Sequence, residues 1–120
     1  MLVTSRGRGR WIIPKGWPMA RLAAHEAAAR EAIEEAGIVG RVRARPIGNY
    51  RYAKRRGAAS DLDCEVTVFA LKVLKQLTEW PEQHQRRTRW FRLREAAKAV
   101  KEPELAALIR KTPALVARRA

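Results

Sequence analysis

Apolar positions recur along this chain with two different periods, and each change of period marks a new element. Leu2-Val3-Thr4 and Trp11-Ile12-Ile13 are short β-prone runs joined through Arg6-Gly7-Arg8-Gly9-Arg10 and ended by Pro14. That pattern predicts a hairpin with arginines, Arg10 among them, at its tip. From Leu22 to Ala36 the composition shifts to Ala, Leu and Glu, all strong helix formers. At roughly 100° per residue, His25, Ala29, Ala32, Ile33 and Ala36 share one arc, which predicts the buried side. Glu31, Glu34 and Glu35 share the opposite arc, where Ala27 and Ala28 leave space beside them. Gly37 supplies the residue that can turn left-handed and stop the helix.

Strand-like alternation returns at Ile38–Val42 and runs on to Pro46, then resumes over Ile47–Tyr52, which carries Arg51. The basic loop Lys54-Arg55-Arg56-Gly57 follows. Cys64 to Leu71 is apolar on both faces, as expected of a central strand covered on two sides. Lys72–Thr78 leads to a loop at Glu79-Trp80-Pro81-Glu82, and Arg86–Phe91 reads as a last strand with Trp90 packed inward. Leu93–Val100 and Pro103–Arg110 read as helices, the second interrupted at Thr112-Pro113. Trp17 and Cys64 are expected to pack, His25 to be half-buried, and Glu65 to pair with one of the many arginines, with a pocket role as the alternative.

Composition narrows what such a chain can be. Its 120 residues make one domain, 1–120, large enough for its own core. No apolar run approaches membrane-spanning length, and the start, with Arg6 so early, is unlike a signal peptide. A lone cysteine rules out an internal disulfide and suits a reducing cytoplasm. Lys and Arg outnumber Asp and Glu by 26 to 12, a formal charge of +14, so polyanions are the expected partners. Nucleic acid is one class, but no helix-turn-helix, zinc finger or ribonucleoprotein motif is present. Highly phosphorylated small molecules satisfy the same argument.

Against that basic background the acidic helix edge is unusual. Glu31, Glu34 and Glu35 repel one another, and two of them lie in the last helical turn, near the negative end of the helix dipole. A compensating cation accounts for their placement, and clustered oxygen donors suit Mg²⁺ or Mn²⁺. An exposed acidic face is the plain alternative for these three residues taken alone.

The spacing from Gly16 through Arg30-Glu31-x-x-Glu34-Glu35-x-Gly37-Ile38 resembles the Nudix box, the signature of Nudix hydrolases. One position departs from it: Leu22 stands where the family pattern has its first Glu. The words Gly16-Trp17-Pro18-Met19 and His25-Glu26-Ala27-Ala28-Ala29-Arg30-Glu31 resemble a bacterial subgroup related to diphosphoinositol polyphosphate phosphohydrolases, and the likeness continues through Cys64-Glu65-Val66 and Trp90-Phe91. Relatives carry a further strand before the position of Leu2. Its absence implies either truncation or an edge filled by another chain, as monomer or homodimer.

The resemblance implies an α/β fold: an α/β/α sandwich, a small mixed sheet with the box helix on one face and the C-terminal helices on the other. It implies Mg²⁺ or Mn²⁺ held by Glu31, Glu34, Glu35 and the Gly16 carbonyl, with Arg30 orienting a carboxylate and Gly37 ending the helix. Glu34, Glu35 and a loop carboxylate, Glu82 with Glu79 as fallback, are the candidate catalytic groups. Lys15, Arg10, Arg51, Lys54 and Arg55 are candidate substrate contacts. The implied reaction is hydrolysis of a phosphoanhydride in a polyphosphorylated small molecule, a diphosphoinositol polyphosphate or a dinucleoside polyphosphate. Removal of pyrophosphate from RNA 5′ ends, or an idle domain that binds nucleic acid or a phosphorylated ligand, are the other readings.

Overall fold

The computed structural model describes residues 1–56 and 59–117, with side chains described outside 54–62. Three antiparallel sheets carry the strands. In the first, β1 (Leu2–Thr4) lies between β2 (Trp11–Ile12) and β7 (Thr88–Arg89), with Val3 opposite both Ile12 and Thr88. β3 (Ile38–Val42) pairs with β6 (Leu71–Gln76), and β4 (Gly48–Arg56) pairs with β5 (Ala59–Val68). Helix α1 spans Ala24–Ala36, α2 Leu93–Ala99 and α3 Pro103–Ala117.

β1 shows how the layers are separated. Successive side chains of a strand point to opposite faces, and both Leu2 and Val3 are buried, at 3% and 0% exposure. Val3 joins Ile12, Ala32, Ala36 and Ile38 in a core beneath α1. Leu2 joins Tyr50, Val68, Ala97, Val100 and Leu105 in a second core beneath α2 and α3. Helices thus cover the strands from both sides, an α/β/α sandwich. Among the described residues every strand pair is antiparallel, where a mixed sheet was expected. β1 is the central strand of its sheet, flanked by β2 and β7.

Several sequence expectations are corrected. The apolar run Cys64–Leu71 is not one strand: β5 ends at Val68, and Leu71 opens β6. Nor is it covered on two sides, because Cys64 and Val68 are buried while Asp63, Glu65 and Thr67 are exposed. α3 continues through Pro113 to Ala117. Thr112 Oγ1 donates to the Leu108 carbonyl at 2.8 Å, and Arg43 Nη1 donates to the Val116 carbonyl at 2.7 Å. These contacts hold the last turns despite the backbone donor that proline lacks. The final strand is only Thr88–Arg89, and Trp90 is 55% exposed, because its neighbour Phe91 takes the inward direction and packs edge-on against Trp11 at 5.0 Å. Trp17, expected to pack, is 56% exposed.

His25 is half-buried beside the Phe69 ring, and Cys64 is buried, as expected. Among the described residues no helix is long and apolar enough to cross a membrane.

Candidate functional site

Helix α1 is built to present its last two turns. Glu26 in the first turn accepts a hydrogen bond from the Ala23 N–H at 2.9 Å, satisfying one orphan donor at the helix start. At the other end Gly37 adopts φ +67°, and its N–H donates to the carbonyls of Ala32 and Ile33. Glycine is required there twice over: the left-handed conformation disfavours a side chain, and an added Cβ would strike the Trp80 ring. The turn feeds straight into β3, and the Leu77 N–H donates to the Gly37 carbonyl at 2.7 Å.

The buried stripe of α1 is displaced from the arc that periodicity predicts. Ala32 and Ala36 are buried as expected, but so are Ala27 and Glu35, whereas His25, Ala29 and Ile33 are half-buried. Glu35 therefore points inward, only 3% exposed, while Glu31 and Glu34 are half-buried at its edge. The reason lies in what faces it: the Arg86 side chain, itself buried, approaches Glu35 Oε1 with Nη2 at 3.8 Å.

A cleft of about 1080 Å³ opens on this wall. Glu31, Glu35, Glu82 and Arg86 line it, as do Lys15 and Gly16 from the loop before α1. Gly16 lies so close to the Glu31 carboxyl that a Cβ would collide with it. Lys15 Nζ sits 4.7 Å from the centre of the Tyr52 ring, within cation–π range. Leu22, at the departure from the family pattern, also lines the cleft, with exposed Trp17 and Trp90.

The electrostatics are those of crowded, desolvated acids. The carboxyls of Glu31 and Glu35 are hydrogen-bonded to each other. Burial pushes Glu35 up to about 8; Arg86 opposes the shift, and Glu31 and Glu82 add to it. Glu31 is raised as well, by burial first and then by the charge of Glu34. The upward shift favours the protonated form of Glu35, with Glu31 as its acceptor. Its Oε1 is nevertheless buried with no hydrogen-bond partner, a condition that costs free energy unless something else occupies that position.

Would a hard cation suit these residues? Among the described residues, no three acidic, histidine or cysteine side chains are already drawn together as a cation cage. The donor chemistry fits nonetheless. Two carboxyls share one proton, a buried oxygen lacks a partner, and Gly16 leaves room beside Glu31. Exchange of that shared proton for a divalent ion would relieve both the repulsion and the unmet acceptor.

The other sequence candidates fall in different places. Glu34 does not line the cleft; its carbonyl accepts the Glu82 N–H at 3.0 Å, and its charge acts on Glu31. Glu82 is at the site, hydrogen-bonded to Arg86 Nε at 2.7 Å, whereas Glu79 is exposed and outside the cleft. Arg30 is exposed and pairs with no helix carboxylate among the described residues; Arg86 takes the place expected of it. Arg10 is half-buried in the hairpin and outside the cleft lining, while Arg6 reaches the cleft and donates to Gln85 at 3.0 Å. Arg51 is exposed on the far side of β4, where its N–H donates to Glu104. The side chains of Lys54 and Arg55 lie outside the described residues. Glu65 lines the cleft and has no ion pair among the described residues.

Arg86 is the residue that sequence reasoning missed. Its signal was present: Glu82 and Arg86 stand at i and i+4 in the loop chosen for its carboxylate.

A Nudix domain model matches residues 1–112 of the chain. Nudix hydrolase 12, mitochondrial, of Arabidopsis thaliana is 37% identical over 99 residues, covering 80% of this chain and 49% of that protein. Nudix hydrolase 13, mitochondrial, from the same plant is 34% identical over 102 residues, 80% of this chain and 50% of that one. Nudix hydrolase 16, mitochondrial, also from that plant, is 34% identical over 107 residues, 86% and 58% respectively. The chain spans about half the length of the curated relatives it matches. With Gly16, Glu31 and Glu35 lining one cleft and the family match extending over nearly the whole chain, this protein belongs to the Nudix domain family.

Proposed function

We propose that this domain hydrolyses a phosphoanhydride bond in a polyphosphorylated small molecule, in a reaction that depends on a divalent metal ion. The observation that carries the reading is the Glu31–Glu35 pair at the cleft wall, with Glu35 buried, one of its oxygens unsatisfied, and Gly16 pressed against Glu31. Glu31 and Glu35, with the Gly16 carbonyl, would hold Mg²⁺ or Mn²⁺. The bound ion supplies neutralisation of diphosphate charge and a lowered pKa for a water ligand. Glu82, which lines the same cleft, would accept a proton from the attacking water. Glu34 acts from the helix edge through its charge on Glu31. Lys15, which also lines the cleft and whose ammonium lies over the Tyr52 ring, meets phosphate oxygens. A net charge of +14 draws substrates with many phosphates toward such a cleft.

Diphosphoinositol polyphosphates and dinucleoside polyphosphates are the substrate classes that this charge favours. The test is phosphate release from inositol pyrophosphates, diadenosine polyphosphates, ADP-ribose and triphosphorylated RNA, with and without Mg²⁺. Mg²⁺-dependent release from one of the small molecules, abolished in Glu35→Gln, is the expected result. Release from RNA alone would move the substrate to RNA 5′ ends. No release from any of them, with RNA binding that weakens steeply as salt rises, would make this a binding domain.

A further inference from the structure

Arg86 is the most constrained cation in the described structure. A guanidinium removed from water needs partners for its donors, and Arg86 has three from three separate elements. Nε donates to Glu82 Oε1 at 2.7 Å, Nη1 to the Thr4 carbonyl of β1 at 3.1 Å, and Nη2 stands 3.8 Å from Glu35 Oε1 on α1. The first two are hydrogen bonds. The third is too long to be one, which is why Glu35 Oε1 stays unsatisfied. The Arg86 charge therefore reaches the carboxylate pair through Nη2 without a hydrogen bond, while Nε and Nη1 donate to Glu82 and Thr4. Glu82 is fixed beside it, held by Arg86 through its side chain and by the Glu34 carbonyl through its N–H.

We propose that Arg86 is a built-in counter-cation: it positions Glu82 at the cleft wall and weakens the affinity of the Glu31–Glu35 pair for a divalent ion. The idea rests on the reading of those two residues as cation ligands. With no ion bound, the guanidinium offsets part of the repulsion between Glu31 and Glu82. An incoming ion meets that same positive charge a few ångströms away, and at an effective dielectric of about 20 this repulsion shifts binding by roughly tenfold or more. The 3.8 Å gap leaves the Glu35 oxygen open, so the ion adds a bond without breaking one that Arg86 makes.

The experiment is Mn²⁺ titration of the full chain, read from the electron paramagnetic resonance signal of free Mn²⁺. Thermal melts in EDTA and in saturating Mn²⁺ accompany it, on the wild type, Arg86→Met and Arg86→Lys. Arg86→Met is expected to bind Mn²⁺ about tenfold or more tightly and to melt lower in EDTA, so that Mn²⁺ raises its melting temperature more than the wild type's. Arg86→Lys keeps the charge and is expected to stay within about threefold of wild-type affinity. If Arg86→Met folds only when Mn²⁺ is present, the ion is replacing the missing charge and the proposal stands. If it folds under neither condition, Arg86→Gln is read by the same criteria. Unchanged or weaker Mn²⁺ binding in the neutral variant, with the wild type binding normally, overturns the role of Arg86 alone. A wild type that binds no Mn²⁺ overturns the ligand assignment as well.

Discussion

Glu31 and Glu35, one turn apart on α1, are joined carboxyl to carboxyl, with Glu35 the buried and protonated member. Gln at position 35 keeps the shape and a donor but cannot become a charged ligand. Glu35→Gln is therefore expected to leave the fold intact and to lower Mg²⁺-dependent phosphate release by on the order of 10²-fold or more, the scale of losing one preorganised electrostatic group. Near-wild-type turnover in that variant would remove Glu35 from the reaction.

The same pair makes the metal-free protein sensitive to pH. Glu35 titrates near 8 when folded against an ordinary value of 4.5, so between those values the folded state binds more protons than the unfolded one. Stability must then fall as pH rises across that window, with the full contribution present below about 4.5 and gone above about 8. Denaturant unfolding in EDTA at pH 6 and pH 8.5 checks the sign, and Glu35→Gln should flatten the slope. Divalent ion binding, which needs the deprotonated pair, should tighten over the same rise in pH.

How much of this was legible beforehand depends on whether the information was local. The α1 boundaries, the Gly37 stop, the β1–β2 hairpin and the layered α/β class follow from propensity, glycine placement and periodicity, all carried by neighbouring residues. The family resemblance implied that Gly16 and Glu31 hold one ion between them, and the two do lie together. What the sequence hid was decided by residues far along the chain. Glu35 turns inward because Arg86, 51 positions later, meets it there. Trp90 turns outward because Phe91 fills the place beside Trp11. Pro113 fails to end α3 because Arg43 caps the last turn from β3's loop. In each case the deciding contact joins segments that a one-dimensional pattern cannot bring together.

Gly37→Ala tests the helix stop. A side chain at φ +67° costs roughly 1–2 kcal/mol, and the Cβ would strike the Trp80 ring. We expect a loss of about 2 kcal/mol or more in urea unfolding. Because α1 would then end less firmly, Mn²⁺ affinity should weaken with it. Alanine tolerated at this position within about 0.5 kcal/mol would mean that the turn is not under the constraint described.

Gly16→Ala separates function from stability more cleanly. Gly16 is exposed, and its φ is not in the left-handed region, so the backbone itself accepts alanine. The only cost is the collision between the new methyl and the Glu31 carboxyl. Glu31 can swing aside, since its side chain is flexible and only half-buried. The melting temperature in EDTA should therefore change little, as for most exposed substitutions. Mn²⁺ affinity should fall by roughly 10- to 100-fold, the range seen when the surroundings of a metal ligand are disturbed. Mn²⁺ titration of the folded variant, by the same resonance signal, decides the matter. Undiminished affinity would show that Glu31 does not hold the ion from the position it occupies beside Gly16.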